Sequence, residues 1–187
     1  MTTRDLVLVA LFAAIIVVLG LIPPVTIALI PVPIHAQSLG VMLAGVILGA
    51  KRGALSVLLF LLLAAIGLPV LSGGRGGLGV FVAPHAGYLV GFVFAAYVAG
   101  AVSERLVSAS QTGLWQTAGF FAAAVLGGIV IDHLLGIVWL AQSTGMGFSK
   151  AFMGDLVFIP GDLLKAAIAA LAGRAVMAGY PLLPQRA

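Results

Sequence analysis

The stretch LVLVALFAAIIVVLGLI, Leu6 to Ile22, contains no charged, amide or hydroxyl side chain. A helix that crosses a bilayer needs about 20 predominantly apolar residues, with roughly 17 to 25 tolerated. The run reaches that length and is apolar on every face, so its natural solvent is lipid. Arg4 precedes it, as a basic residue precedes the apolar core of a signal peptide, yet no small-x-small cleavage site leads into a polar mature segment. The apolar runs simply continue. Spans are expected near residues 6–22, 35–50, 53–69, 80–102, 115–140 and 161–180. Membrane-barrel strands would alternate apolar and polar residues over about ten positions, and these runs do not. The expected fold is an all-α integral membrane protein, one transmembrane domain over residues 1–187 arranged as a six-transmembrane-helix bundle.

Composition agrees. The 187 residues are 63% hydrophobic and 7% charged, with a mean hydropathy of +1.27, where a soluble domain carries roughly a quarter charged residues. The net charge of +4 comes from nine basic residues scattered singly or in pairs. No basic run follows a phosphate backbone, which excludes nucleic acid as a partner. Cysteine is absent, and with it disulfides, thiolate metal ligands and thiol nucleophiles.

Lys and Arg concentrate on the cytoplasmic side of membrane proteins. With the N-terminus inside, Arg4, Lys51, Arg52, Arg105, Arg174 and Arg186 all fall on the cytoplasmic face. Arg75 and Lys150 fall in outer loops, and Lys165 starts the last span. Both termini are therefore expected in the cytoplasm of a multi-pass protein of the cell membrane. The outer connections then hold the unusual chemistry: Pro23-Pro24 through Gln37, Ser72 through Tyr88, and Phe158 through Lys165. Irregular backbone near membrane depth is tolerated where protein buries it or it lines a cavity, so the three stretches suggest one outward-facing pocket.

Within Pro160-Gly161-Asp162-Leu163-Leu164-Lys165, Pro and Gly can break a helix and let it restart. Asp162 and Lys165, three apart, share one face of it. Charges inside a membrane are costly and mark functional sites by default, so the pair is read as a polar clamp, with a helix cap plus a snorkelling Lys as the structural counterpart. Gly74-x-Gly76-x-x-Gly79 formally matches a dinucleotide fingerprint but lacks the βαβ setting which that motif requires. Arg75 within it is a candidate carboxylate partner. Tyr88 can stack on or hydrogen-bond a ring, or serve as an interfacial anchor. His35, His85 and Gln37 are candidate pocket-lining groups, with too few companions for a metal site. Asp132-His133 inside the fifth span is either a proton-relay element or a pair satisfied within the bundle, with the second reading ahead. Asp155 and Lys150 read as interfacial charges. Ala10 and Ala14, four apart on the first span, form a small-residue face suited to close helix approach, as do Gly45 with Gly49 and Gly87 with Gly91.

Absent motifs narrow the function. There is no nucleotide-binding Gly-x-x-x-x-Gly-Lys-Ser/Thr loop, no Gly-x-Ser-x-Gly turn and no His-Glu-x-x-His. Carboxylates are too few for paired acid–base work on a hydrophilic substrate, which argues against an enzyme.

Four motifs in order resemble the BioY family: Pro31-Val32-Pro33-Ile34-x-x-Gln37, Gly73-Gly74-x-Gly76-Gly77-Leu78-Gly79, Pro84-x-x-Gly87-Tyr88-Leu89-x-Gly91-Phe92 and Pro160-Gly161-Asp162-x-x-Lys165. Members of that family are biotin-specific substrate-binding (S) components of energy-coupling factor (ECF) transporters, and the resemblance covers most of the chain. It implies biotin as ligand and no resident cofactor. ATP would act only through partners, a transmembrane coupling protein and two ATPase subunits, with Ala10 and Ala14 on the docking face. The chain departs from the family pattern at His35, where Thr is usual, and at His85-Ala86, where Thr-Gly is usual. On this reading Asp162 accepts N–H groups of the ureido ring, Lys165 donates to a carbonyl or carboxylate, and Arg75 or His85 meets the biotin carboxylate. A proton-coupled secondary transporter of a small vitamin-like solute, working through Asp132-His133, is the alternative.

Overall fold

The computed structural model describes residues 1–26, 31–108 and 113–183, so Arg186 lies outside the described residues. Helix α1 (Thr3–Gly20) begins at a reciprocal cap: the Thr2 hydroxyl accepts from the Asp5 N–H, and the Asp5 carboxylate accepts from the Thr2 N–H at 2.8 Å. Pro23-Pro24 follow within a turn of its end and cannot extend it. The helix inserts Val9, Phe12, Ala13 and Ile16 into the bundle and leaves Leu6, Val7, Leu11 and Val18 outside, with Ala10 and Ala14 on the exposed side.

Helices α2 (Gln37–Leu48) and α3 (Ala50–Ala65) meet at Gly49 alone, whose φ of 85° only glycine takes without strain. The Glu104 carboxylate accepts the freed Ala50 N–H at 2.8 Å. Almost all of α2 is buried, because Gly45 lets it lie against α4 (Ala86–Leu106): a Cβ at Gly45 would stand 2.6 Å from the Ala96 carbonyl oxygen. Helix α4 is the hub and packs on α2, α3, α5 (Leu114–Val125) and α6 (Asp132–Thr144). A π-helical turn, Leu126–Ile131, fuses α5 and α6 into one long rod. Left-handed Gly145 (φ 68°) ends it. A short α7 (Phe148–Asp155) then bends by 53° into α8 (Ile159–Gly179).

Among the described residues the protein is all-helical, apart from isolated bridges at Val25–Ile34 and Leu71–Arg75. Three stretches are long and apolar enough to cross a membrane: Thr3–Gly20, Ala86–Leu106 and Leu114–Thr144; the bent α7–α8 pair makes a fourth. Helices α2 and α3, with 12 and 16 residues, fall short of the spans expected at 35–50 and 53–69, and two further features depart from the expectation. The apolar run from residue 80 becomes helical only at Ala86, because Leu78–Phe81 forms a 3-10 turn and Pro84 restrains its predecessor away from helix. Helix α7 was not expected at all.

The bundle has two chemically distinct ends. Arg4, Asp5, Lys51, Arg52, Glu104 and Arg105 gather with Leu182 around a groove at one. There Arg52 donates to Asp5 at 3.3 Å and to the Leu48 and Leu182 carbonyls, and Arg4 lies 4.8 Å from the centre of the Tyr180 ring. The other end carries the candidate site.

Candidate ligand-binding site

Pro160 sits in the first turn of α8, where a missing N–H costs nothing. One turn on, Lys165 Nζ donates to Asp162 Oδ1 at 2.8 Å, to the Ser38 hydroxyl at 3.0 Å and to the His35 carbonyl at 2.8 Å. Ser38 in turn donates to Asp162 Oδ1 at 3.3 Å. The ion pair expected from the i, i+3 spacing thus forms, and it joins α8 to α2 and to the segment ahead of it. Asp162 is only 4% exposed.

The other Asp162 oxygen, Oδ2, lies 3.1 Å from His133 Nε2, and His133 Nδ1 lies 2.7 Å from Asp155 Oδ2. The Tyr88 hydroxyl donates to Asp155 Oδ1 at 2.7 Å. A continuous chain, Tyr88–Asp155–His133–Asp162–Lys165, therefore runs through α4, α7, α6 and α8. A neutral imidazole has one N–H and one acceptor nitrogen. Both His133 contacts are hydrogen bonds only when the bridge holds an additional proton, either as an imidazolium donating both ways or on one carboxyl.

Two expectations are corrected here. Asp155 is no interfacial charge: it is buried, because the bend after α7 turns it inward to His133 and Tyr88. Lys150 does stay exposed. Nor do Asp132 and His133 satisfy one another, since His133 is committed to Asp155 and Asp162 while Asp132 has no hydrogen-bond partner among the described residues. The sequence reading missed His133, Asp155 and Ser38 as members of the site. A signal existed for Asp155, which is flanked by Phe152, Met153, Leu156, Val157 and Phe158, a setting in which a carboxylate needs a cation.

The chain borders a cavity whose walls include Val32–His35, Ser38, Tyr88, Phe92, Asp132 and Phe158. The cavity has a volume of about 30 Å³, enough for a water or two. Gly136 makes room for the Tyr88 ring, which any Cβ there would strike, and the ring packs edge-on against His133 and Phe158. His35 lines the cavity, edge-on to Phe92.

Gln37 does not face that space. Its amide N–H groups go to the Ile16 and Val70 carbonyls at 3.1 and 3.0 Å, and its oxygen accepts the Ser72 N–H at 2.8 Å. It pins the glycine-rich loop to α1 and α2. Arg75 donates to the Ser72 carbonyl at 3.1 Å and contacts His85 Nε2 at 3.4 Å, a pair set apart from the cavity wall. Both lie in the connection ahead of α4. Burial, and then the Arg75 guanidinium, hold the His85 imidazole down to about 4, and burial alone lowers Arg75.

A family model described as "BioY family" matches residues 1–182. A Rhizobium etli protein named "Biotin transporter BioY" is 66% identical over 187 residues, covering 100% of both chains. A Rhodobacter capsulatus protein of the same name is 47% identical over 184 residues, covering 92% of this chain and 93% of the relative. A crystal structure of the S-component for biotin from an ECF-type ABC transporter superimposes with a TM-score of 0.90 at 34% identity, covering 97% of each chain.

Proposed function

Because the chain belongs to the BioY family, we propose that it captures biotin at the Asp162–Lys165 end of the bundle and serves as the substrate-binding subunit of an ECF-type transporter. It is a biotin transporter of the cytoplasmic membrane, with several membrane passes, and not an enzyme. Six spans with both termini in the cytoplasm put the basic end of the bundle inside, as the distribution of Lys and Arg favours, and open the site to the outside. A coupling protein and two ATPases supply the energy, and ATP reaches transport only through them. The exposed Ala10 and Ala14 of α1 offer the coupling protein a surface of low relief.

The observation that carries the site is the pair of buried Asp162 and partly buried Lys165, held on three sides by His133, Ser38 and the His35 carbonyl. Biotin presents a ureido ring with two N–H donors and a carbonyl. Asp162 accepts from the ring, and Lys165 donates to it by exchanging one of its three present acceptors. Val32, Ile34, Phe92 and Phe158 are apolar walls for the thioether ring and alkyl chain. Arg75 or His85, which contact one another in the connection ahead of α4, meets the carboxylate outside the cavity wall. A buried polar site of this kind rejects analogues that leave its groups unpaired.

Titration of the purified protein with biotin, beside Asp162→Asn, tests the reading. Nanomolar to low-micromolar binding, reduced at least about 100-fold in the variant, is the expected result. A folded wild-type protein that binds no biotin would refute it.

A further inference from the structure

From the geometry we infer that Asp132 is a second acidic side chain of the ligand site and that its carboxyl oxygen accepts the ureido N–H that Asp162 does not take. The inference rests on the biotin reading above.

Asp132 opens α6 directly after the π-helical turn Leu126–Ile131, the kind of local insertion that recurs at functional sites. The turn leaves consecutive residues with different tasks: His133 reaches α7 and α8, while Asp132 faces α4. Gly91 is the reason it fits. A Cβ at that position would collide with Asp132 Oδ1, so the close approach of α4 backbone and carboxylate depends on glycine. The residue is 3% exposed and lines the same cavity as Ser38 and Asp162.

Its bonding is out of balance with its neighbours. Asp155 receives Tyr88 and His133, and Asp162 receives Lys165, Ser38 and His133. Asp132 receives no donor among the described residues, and its Oδ1 is buried without a partner. A buried acceptor left without a donor is destabilising, so a donor entering the cavity gains more from Asp132 than from a carboxylate already satisfied. A carboxylate has about four acceptor positions, of which Asp162 has filled three. A ligand with one N–H on each side of a carbonyl therefore needs another acceptor, and Asp132 is the remaining carboxylate on the cavity wall.

The test compares biotin with two analogues of equal size, cyclic carbamates in which one or the other ureido N–H is replaced by a ring oxygen. Each is titrated against the purified wild-type protein, Asp132→Asn and Asp132→Ala, with gel-filtration profile and thermal melt confirming that each variant is folded. Wild type is expected to prefer biotin over one of the two carbamates by roughly 10- to 100-fold. Asp132→Asn is expected to weaken biotin and to reduce that preference at least about tenfold, because an amide can present either its N–H or its carbonyl oxygen to the ring atom. The near-isosteric Asn carries the test if the Ala variant fails to fold. A wild-type protein that binds biotin, with a preference unchanged in Asp132→Asn, overturns the inference and leaves the biotin reading standing. A folded wild-type protein that binds no biotin overturns both.

Discussion

Tyr88 and Asp155 stand 67 positions apart and share a hydrogen bond of 2.7 Å that ties the first turn of α4 to the last residue of α7. Helix α7 has only eight residues and exposes Phe148, Phe152 and Met153. A helix so short does not hold itself together in isolation. Its position comes from Ala151, Gly154 and Asp155, the buried residues of the helix, and Asp155 in turn contacts His133, which reaches Asp162.

Tyr88→Phe keeps the ring on Gly136 and removes only the donor. Asp155 then keeps one donor of two, which costs about 1–3 kcal/mol. A lower melting temperature in detergent is expected, with faster amide exchange confined to α7. Exchange in α7 that matches wild type would show that the hydroxyl does not anchor the helix.

His133→Leu removes the bridge between two buried carboxylates. Breaking a buried ionic arrangement from one side costs about 3–5 kcal/mol, because the remaining charges lose their compensation. Substituting Asp155→Leu in the same protein should recover part of the loss, since one uncompensated carboxylate goes with it. Thermal melts of the single and double variants measure this, and a double variant less stable than His133→Leu would contradict the bridge.

Gln37→Leu separates a scaffold role from a ligand role. Three hydrogen bonds to Ile16, Val70 and Ser72 disappear, with a stability loss of about 1–3 kcal/mol. Biotin affinity, measured on the fraction that remains folded, should fall far less than in Asp162→Asn. An equal fall in both would place Gln37 against the ligand.

His85 gives the pH dependence a sign. An unfolded histidine titrates near 6.5, and burial with the neighbouring Arg75 holds folded His85 down to about 4. The fold is built around the neutral ring, so its contribution is complete above pH 6.5 and is lost as pH falls toward 4. Between pH 7.5 and pH 5 the wild-type protein should lose up to about 2 kcal/mol that His85→Gln does not. Parallel acid-dependent declines in melting temperature would exclude the residue as the cause.

The helical character of the chain was readable because lipid exposure leaves long uncharged runs such as Leu6–Ile22, and the Asp162–Lys165 pair because its spacing is local to one helix. Gly45, Gly87 and Gly91 were readable as close-approach positions, and they do meet Ala96, Trp139 and Asp132 across helix contacts. What escaped depends on distant pairing. Nothing in the order of residues reveals that a bend after Asp155 swings that carboxylate to His133, 22 positions earlier. Gln37 shows the same dependence: an amide beside the pocket segment has two directions to face, and its bonds to Ile16, Val70 and Ser72 turn it toward the loop.

The narrow cavity beneath Val32–His35 has a kinetic corollary. A space that admits a water or two cannot take up a bicyclic solute by diffusion alone, so an opening motion must precede or accompany every capture event. At high solute concentration the observed association rate should level off at the frequency of that motion instead of rising in proportion. Departure would wait on the same motion, so a slow opening lengthens residence time as much as it slows entry.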